Sequence, residues 1–119
     1  MGEVVSAIFE TFKAKRFDLT DEKRLQGEIF LALQSCIQSD TVQKEYTLDD
    51  KNRIDFLIGS VGIEVKIKGS KRDIYKQCER YCGFDTIKEL VLVTNKSMGL
   101  PGKINGKDCF IIKLGMAWL

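Results

Sequence analysis

Asp55, Glu64 and Lys66 are the residues whose types and spacing offer the clearest chemistry in this sequence. Eight residues separate the two acids, and Lys66 follows Glu64 after one intervening residue. Mg²⁺ or Mn²⁺ binds to one or two carboxylates together with waters and substrate phosphate oxygens. Such an ion lowers the pKa of a bound water and stabilises an in-line displacement at phosphorus. A nearby lysine would orient that water or offset charge at the attacked phosphate, so the three residues predict metal-dependent phosphodiester hydrolysis.

This chemistry requires a tight hairpin that brings the two acids together. The stretches 53–58 and 61–67 both have the composition of strands, and residues 59–60 between them are Gly-Ser. Glycine in the first position of a two-residue loop is typical of a type II′ turn. In that register Asp55 lies opposite Glu64, whereas a three-residue loop with a bulge would break the pairing. The side chains that this register predicts on one face are Arg53, Asp55, Glu64, Lys66 and Lys68.

Two opposed carboxylates need compensation, because like charges at directly opposed strand positions are destabilising. A divalent cation would supply that compensation. The simpler alternative is an alternating charged face that is only solvated, and Glu-x-Lys is a frequent pattern on strands. The three residues alone leave both interpretations open.

The rest of the chain predicts the elements that position this hairpin. Helical periodicity indicates a first helix over residues 4–17 and a second that begins near Thr20, which is predicted as its N-cap. Ser70 is the predicted cap of a third helix over residues 71–82. The further predicted strands are 42–48, 89–94 and 109–114, with a loop-rich stretch over 95–107. This order predicts an α/β domain with a mixed central sheet flanked by helices.

Composition and the absence of certain motifs narrow the function classes. The 119 residues suffice for one domain, and a net charge of +2 does not by itself indicate a nucleic-acid partner. Without histidine, His-based catalysis and His-ligated zinc are excluded, and without a Walker loop any nucleotide-powered translocation would need another subunit. Apolar runs fall short of the roughly 20 residues of a membrane helix, and the N-terminus, with an acid near its start, is unlike a secretory signal, so we expect an intracellular, cytoplasmic protein. The cysteines that we expect as reduced, buried thiols rather than as iron–sulfur ligands are Cys36, Cys78, Cys82 and Cys109.

A run of cations follows the hairpin. Six lysines and arginines lie between Lys66 and Arg80, against the two acids Asp73 and Glu79. A solvated helix face is the commoner cause of such a run. Beside a phosphodiesterase site, the same residues would contact phosphates and give salt-sensitive affinity without sequence preference. The candidates for this role are Lys68, Lys71, Arg72, Lys76 and Arg80.

The spacing of Ile54-Asp55 and Glu64-Val65-Lys66 resembles the D…(D/E)-x-K signature of the PD-(D/E)XK nuclease superfamily, with Ile54 in place of the motif's proline. The resemblance covers about residues 21–94. It implies a restriction-endonuclease-like core of order αβββαβ, Mg²⁺ or Mn²⁺ as cofactor, and DNA as substrate. The whole chain is then one nuclease-like domain, with an N-terminal helix (1–18), the core (20–94), and a loop and C-terminal strand (95–119).

Further residues carry the resemblance outside the hairpin. Glu28, on the helix before the first strand, matches an acid that many members contribute as an extra metal ligand, and Glu22 on the same helix is the alternative. Gln77 and Tyr81 match the Q-x-x-x-Y element of the RecB-like branch. Residues four apart share a helix face. The resemblance therefore implies a catalytic role for Gln77 and a DNA contact for Tyr81, while a helix with one half-buried polar face remains the alternative.

Within the superfamily, the chain is similar to small phage-encoded nucleases and to the virus-type replication-repair nucleases. Some stand-alone members of that group resolve branched DNA as homodimers. The resemblance thus implies a structure-selective, junction-resolvase-like endonuclease of DNA replication, repair or recombination. Two alternatives stay open: a non-catalytic DNA-binding or recombination accessory module with the same fold, and a structural or protein-interaction domain with a solvated hairpin face.

Overall fold

The computed structural model describes residues 2–37 and 41–115. Three helices and six strands make up this part of the chain, which confirms the predicted mixed α/β class. In chain order they are α1 (Glu3–Lys13), α2 (Glu22–Cys36), β1 (Val42–Thr47), β2 (Arg53–Ile58), β3 (Val61–Lys66), α3 (Lys71–Tyr81), β4 (Glu89–Thr94), β5 (Lys103–Ile104) and β6 (Lys107–Lys113).

The six strands form one mixed sheet of order β1-β2-β3-β4-β6-β5. Strands β1, β2 and β3 are antiparallel neighbours, whereas β3, β4 and β6 run parallel. Helices α1 and α2 pack on one face and α3 packs on the other, each over its own cluster of buried apolar residues. Strand β4 is buried along most of its length, because helices cover both of its faces.

The helix caps show how closely local chemistry predicts the boundaries. Ser70 caps α3 as predicted, and its Oγ accepts from the Asp73 N–H at 3.1 Å. The prediction of Thr20 as the cap of α2 is wrong by one residue. Asp21 takes that place and accepts from the Lys23 N–H, while Thr20 instead donates to Asp18. A carboxylate suits this position because the N-terminal end of a helix is positive.

The predicted loop over residues 95–107 contains a strand. Residues 103–104 form β5, which pairs antiparallel with β6. Asn105 and Gly106 join the two strands, and both have a positive φ. An Asn-Gly pair is a strong signal for a two-residue hairpin, because both of its residues tolerate that conformation. The loop prediction is therefore wrong at its end, where the sequence carried a recognisable turn.

The cysteines lie mainly beneath α3. Cys78, Cys82 and Cys109 are buried, as predicted, whereas Cys36 is only partly buried, and none of the four forms a disulfide. The Sγ atoms of Cys82 and Cys109 lie 3.6 Å apart. Among the described helices, none is both long enough and apolar enough to cross a bilayer.

Candidate active site

The hairpin between β2 and β3 has the predicted two-residue loop. Ile58 pairs with Val61, and Gly59 has a φ of 59°, the left-handed conformation that its position in the turn requires. Gly62 lies in a crowded part of β3. A Cβ atom there would lie 2.6 Å from Ile54 Cδ1 and within 3 Å of a second isoleucine side chain, so a larger residue would require these side chains to move.

The ladder between β2 and β3 ends at the pair Phe56–Ile63, one step before the two acids. The expected cross-strand pairing of Asp55 with Glu64 is replaced by bonds between side chain and backbone. The Asp55 N–H donates to Glu64 Oε1 at 3.1 Å, and the Val65 N–H donates to Asp55 Oδ2 at 2.8 Å. Each acid thus satisfies a backbone group of the opposite strand, which holds the two carboxylates next to each other where the strands separate.

Burial and mutual repulsion disfavour two full charges at this point. Glu64 is only 3% exposed, and this burial, followed by the nearby Asp55 carboxylate, raises its pKa to about 8. Burial also raises the pKa of Asp55, against the opposing effects of the Val65 N–H and Lys66. Without a cation, the pair therefore retains a proton near neutral pH.

Lys66 lies at the solvent side of the acid pair. Its Nζ is 3.6 Å from Glu64 Oε2, and its side chain is 30% exposed. Its charge lowers the pKa of both acids. The structure therefore brings the three predicted central residues, Asp55, Glu64 and Lys66, into one group, with the lysine reachable from solvent.

Helix α2 approaches the pair through a residue that the sequence interpretation missed. Gln26 Nε2 donates to Asp55 Oδ1 at 3.3 Å. Glu22, four residues earlier on the same helix, is close enough for its charge to raise the pKa of Asp55. The i, i+4 spacing of Glu22 and Gln26 was the available signal.

The placement of Glu28 contradicts its predicted role as a metal ligand. Its Oε1 accepts from the Asp18 N–H at 2.9 Å, so its carboxylate is turned toward the segment before α2. Glu28 lies two positions beyond Gln26, and residues two apart point in different directions on a helix. Of the two acids considered on α2, Glu22 is the one whose charge acts on Asp55.

Tyr81 and Gln77 support the site from the α3 side. Tyr81 is 1% exposed, and its hydroxyl donates to the Arg53 carbonyl at 2.9 Å. The predicted DNA contact of Tyr81 is therefore wrong, because the side chain is buried. Its burial and the neighbouring Glu64 raise the pKa of Tyr81. Gln77 Nε2 donates to the Tyr81 hydroxyl at 2.7 Å, so Gln77 acts on the site through Tyr81.

The predicted phosphate-binding cations all lie on the surface. Lys68 follows β3, and the others are on α3, where Arg80 Nε donates to Asn52 Oδ1 at 3.4 Å. These positions leave their charges open to a polyanion. The exposed residues in question are Lys68, Lys71, Arg72, Lys76 and Arg80.

The chemistry of the donors fits Mg²⁺ or Mn²⁺ better than a structural metal. Within residues 2–37 and 41–115, no cluster of three or more Asp, Glu, Cys or His side chains is arranged to hold an ion. A pair of carboxylates matches the one or two that hold Mg²⁺ together with waters and substrate. Each carboxylate oxygen has a second lone pair besides the one used in the bonds described above. Asp55 and Glu64 can therefore take a cation while keeping their backbone partners.

No family model, no curated protein and no solved structure matches this chain.

Proposed function

We propose that this protein is a Mg²⁺- or Mn²⁺-dependent deoxyribonuclease of the PD-(D/E)XK type. The observation that supports the proposal is the pair formed by buried Glu64 and partly buried Asp55, held together by reciprocal side-chain to backbone bonds with Lys66 beside it. An acid pair that keeps a proton because of burial and repulsion is costly in a purely structural sheet. Perturbed carboxylates that converge at one point are typical of functional sites.

Each residue has a separate part in the proposed reaction. Asp55 and Glu64 would hold the cation, which supplies an activated water and neutralises charge at the attacked phosphate. Lys66 would orient the attacking water or offset phosphate charge from the solvent side. Gln26 and Tyr81 would hold Asp55 and the end of β2 in place, through the Asp55 carboxylate and the Arg53 carbonyl.

The arrangement of elements also supports the family assignment. From α2 to β4 the order is α-β-β-β-α-β, the order of the restriction-endonuclease-like core. Helices α2 and α3 lie on opposite faces of this sheet, and both contact the separated end of the hairpin. Helix α1 and strands β5 and β6 extend the core.

DNA is the proposed substrate because Lys66 adjoins the acid pair and further exposed cations follow it in the chain, at Lys68 and along α3. These cations would contact phosphates without reading bases, which suits recognition of a branched structure rather than a sequence. The proposed enzyme is therefore a structure-selective endonuclease of replication, repair or recombination. As a homodimer it would make paired cuts on two-fold symmetric junctions.

A substrate panel tests the proposal. Plasmid, single-stranded and four-way-junction DNA are incubated with the protein in Mn²⁺ or in EDTA, beside Asp55→Asn and the exposed-loop control Asp85→Asn. We expect cleavage in Mn²⁺ by the wild type and by Asp85→Asn only. Cleavage that persists in EDTA or in Asp55→Asn would contradict the mechanism. Salt-sensitive binding without any cleavage would favour the non-catalytic DNA-binding module.

A further inference from the structure

Strands β1 and β2 are distorted at the level of Asp55. Lys44 pairs with Phe56 and Tyr46 pairs with Ile54, and the ladder skips the position between, where Glu45 faces Asp55. Glu45 has a φ of 49°, a conformation that side chains other than glycine, asparagine and aspartate rarely adopt. Strain of this kind persists only where the surrounding structure imposes it, and it is concentrated at functional sites.

The distortion changes which side chains share a face. Successive residues of a regular strand point to opposite sides of the sheet. Here Lys44 and Glu45 of β1 line the same cleft, and so do Asp55 and Phe56 of β2. Both strands break their alternation at one level, and the result is an opening that leads to the carboxylate of Asp55.

Helix α2 forms the other wall of this cleft, which has a volume of about 310 Å³. Its contribution is Lys23, Gln26, Gly27 and Phe30. Gly27 lies in mid-helix, where glycine is destabilising relative to alanine. Among the described residues, a Cβ atom at Gly27 would meet no atom within 4 Å. Packing therefore does not require a glycine here, whereas an open cleft benefits from one.

The cleft carries the charges that a phosphodiester strand would need. Lys23 and Lys44 are exposed cations on its two walls, and Lys44 Nζ lies 4.6 Å from the centre of the Phe30 ring. Asp55 also lines the cleft and belongs to the acid pair, so a phosphate held by the lysines would adjoin the cation site. Glu45 is the opposing charge on the wall.

We propose that this cleft between α2 and the β1–β2 pair binds the DNA strand next to the scissile phosphate, with Lys23 and Lys44 as its phosphate contacts. The inference rests on the proposed nuclease function and adds a binding site to it. The exposed cations of α3 would then contact more distant phosphates of the same substrate.

Substitutions that remove the charges of the cleft, or that fill it, test this inference. The cleavage assays contain Mn²⁺ and the DNA substrate that the panel identifies. Lys23→Gln and Lys44→Gln should each raise KM about fivefold, the effect of losing one accessible ion pair, with little change in kcat. Each should also reduce the slope of affinity against salt by about one unit. Glu45→Gln should lower KM, because it removes the negative charge on the cleft wall. The matched control is Lys88→Gln, a remote exposed lysine, which should leave KM unchanged.

Substitutions of Gly27 distinguish an effect on DNA binding from an effect on folding. Gly27→Ala should raise the melting temperature because alanine is the better helix former. Gly27→Gln should keep the fold, project a side chain into the cleft, and raise KM at least as much as Lys44→Gln. If the wild type cleaves DNA and both Gly27→Gln and Lys44→Gln leave KM at the wild-type value, the cleft inference is overturned while the nuclease proposal stands. If the wild type neither binds nor cleaves DNA, both proposals fail.

Discussion

The backbone N–H of Asp55 donates to the side chain of Glu64 at 3.1 Å. In the opposite direction, the carboxylate of Asp55 accepts from the N–H of Val65, which a regular ladder would have bound to a backbone carbonyl of β2. Each acid is thereby both a candidate cation ligand and a structural partner of the opposite strand. Charge and hydrogen bonding at this point can be separated by substitution.

Two substitutions of Glu64 should have opposite effects on stability. Glu64→Gln keeps an oxygen for the Asp55 N–H and removes the repulsion, so at pH 8 in EDTA we expect a free energy of unfolding at or above the wild-type value. Glu64→Leu leaves that N–H without its acceptor and should lose about 1–3 kcal/mol. Urea unfolding measures both. Equal destabilisation by the two variants would show that the hydrogen bond does not matter.

The acid pair should make the cation-free protein less stable as the pH rises. The pKa of Glu64 is about 8 in the folded chain against an ordinary value of 4.5, so the folded state binds the extra proton between these values. Its contribution is fully present below about pH 4.5 and is lost by about pH 8, with a limiting slope of about 1.4 kcal/mol per pH unit. Urea unfolding in EDTA from pH 5 to 8 should show this decline, and Glu64→Gln should flatten it. An identical slope in that variant would contradict the assignment.

Tyr81→Phe tests the support from α3. Loss of the bond to the Arg53 carbonyl should destabilise the fold by about 1 kcal/mol. Since Tyr81 also lowers the pKa of Glu64, its loss should raise that pKa and move the pH profile of cleavage upward. KM should stay unchanged, because Tyr81 is buried and does not reach substrate. Tyr75→Phe, on the same helix, is the control. A pH profile identical to wild type would limit Tyr81 to a structural role.

The two acids of α2 should differ in their effect on the cation. Glu22 acts electrostatically on Asp55, whereas Glu28 is bonded to the backbone of Asp18. Glu22→Gln should weaken Mn²⁺ binding roughly threefold to tenfold, corresponding to about 1 kcal/mol for a charge near the surface. Glu28→Gln should leave Mn²⁺ affinity at the wild-type value. Calorimetric titration measures both affinities. If Glu28→Gln weakened Mn²⁺ binding and Glu22→Gln did not, Glu28 would be the acid of α2 that acts on the cation.

The sequence predicted those features that depend on local chemistry. The hairpin loop follows from the conformational freedom of Gly59, and the start of α3 follows from the Ser70 hydroxyl. The loop length also predicted that Asp55 and Glu64 are adjacent, although the strand pairing expected between them stops at Phe56–Ile63. Each of these depends on residues a few positions apart in the chain.

Features set by packing between distant segments were not predictable in the same way. From Asp55 and Glu64 onward the two strands of the hairpin separate, because the side chains of these acids accept bonds from the backbone there. The alternating sequence pattern of the two strands gives no sign of this separation. The burial of Tyr81 depends on α3 lying over β2, and the orientation of Glu28 depends on the segment before α2. The contact of Gln26 with Asp55 likewise needs the packing of α2 against the sheet.

The most direct test of the central claim is a calorimetric titration of the protein with Mn²⁺ at pH 7, where the acid pair still holds its proton, compared with Asp55→Asn and Glu64→Gln. One ion per chain should bind to the wild type, with release of the proton that the acid pair holds. Either substitution should abolish that binding while the variant remains folded. A wild-type protein that binds no ion, or variants that bind it unchanged, would contradict the claim that Asp55 and Glu64 share one cation.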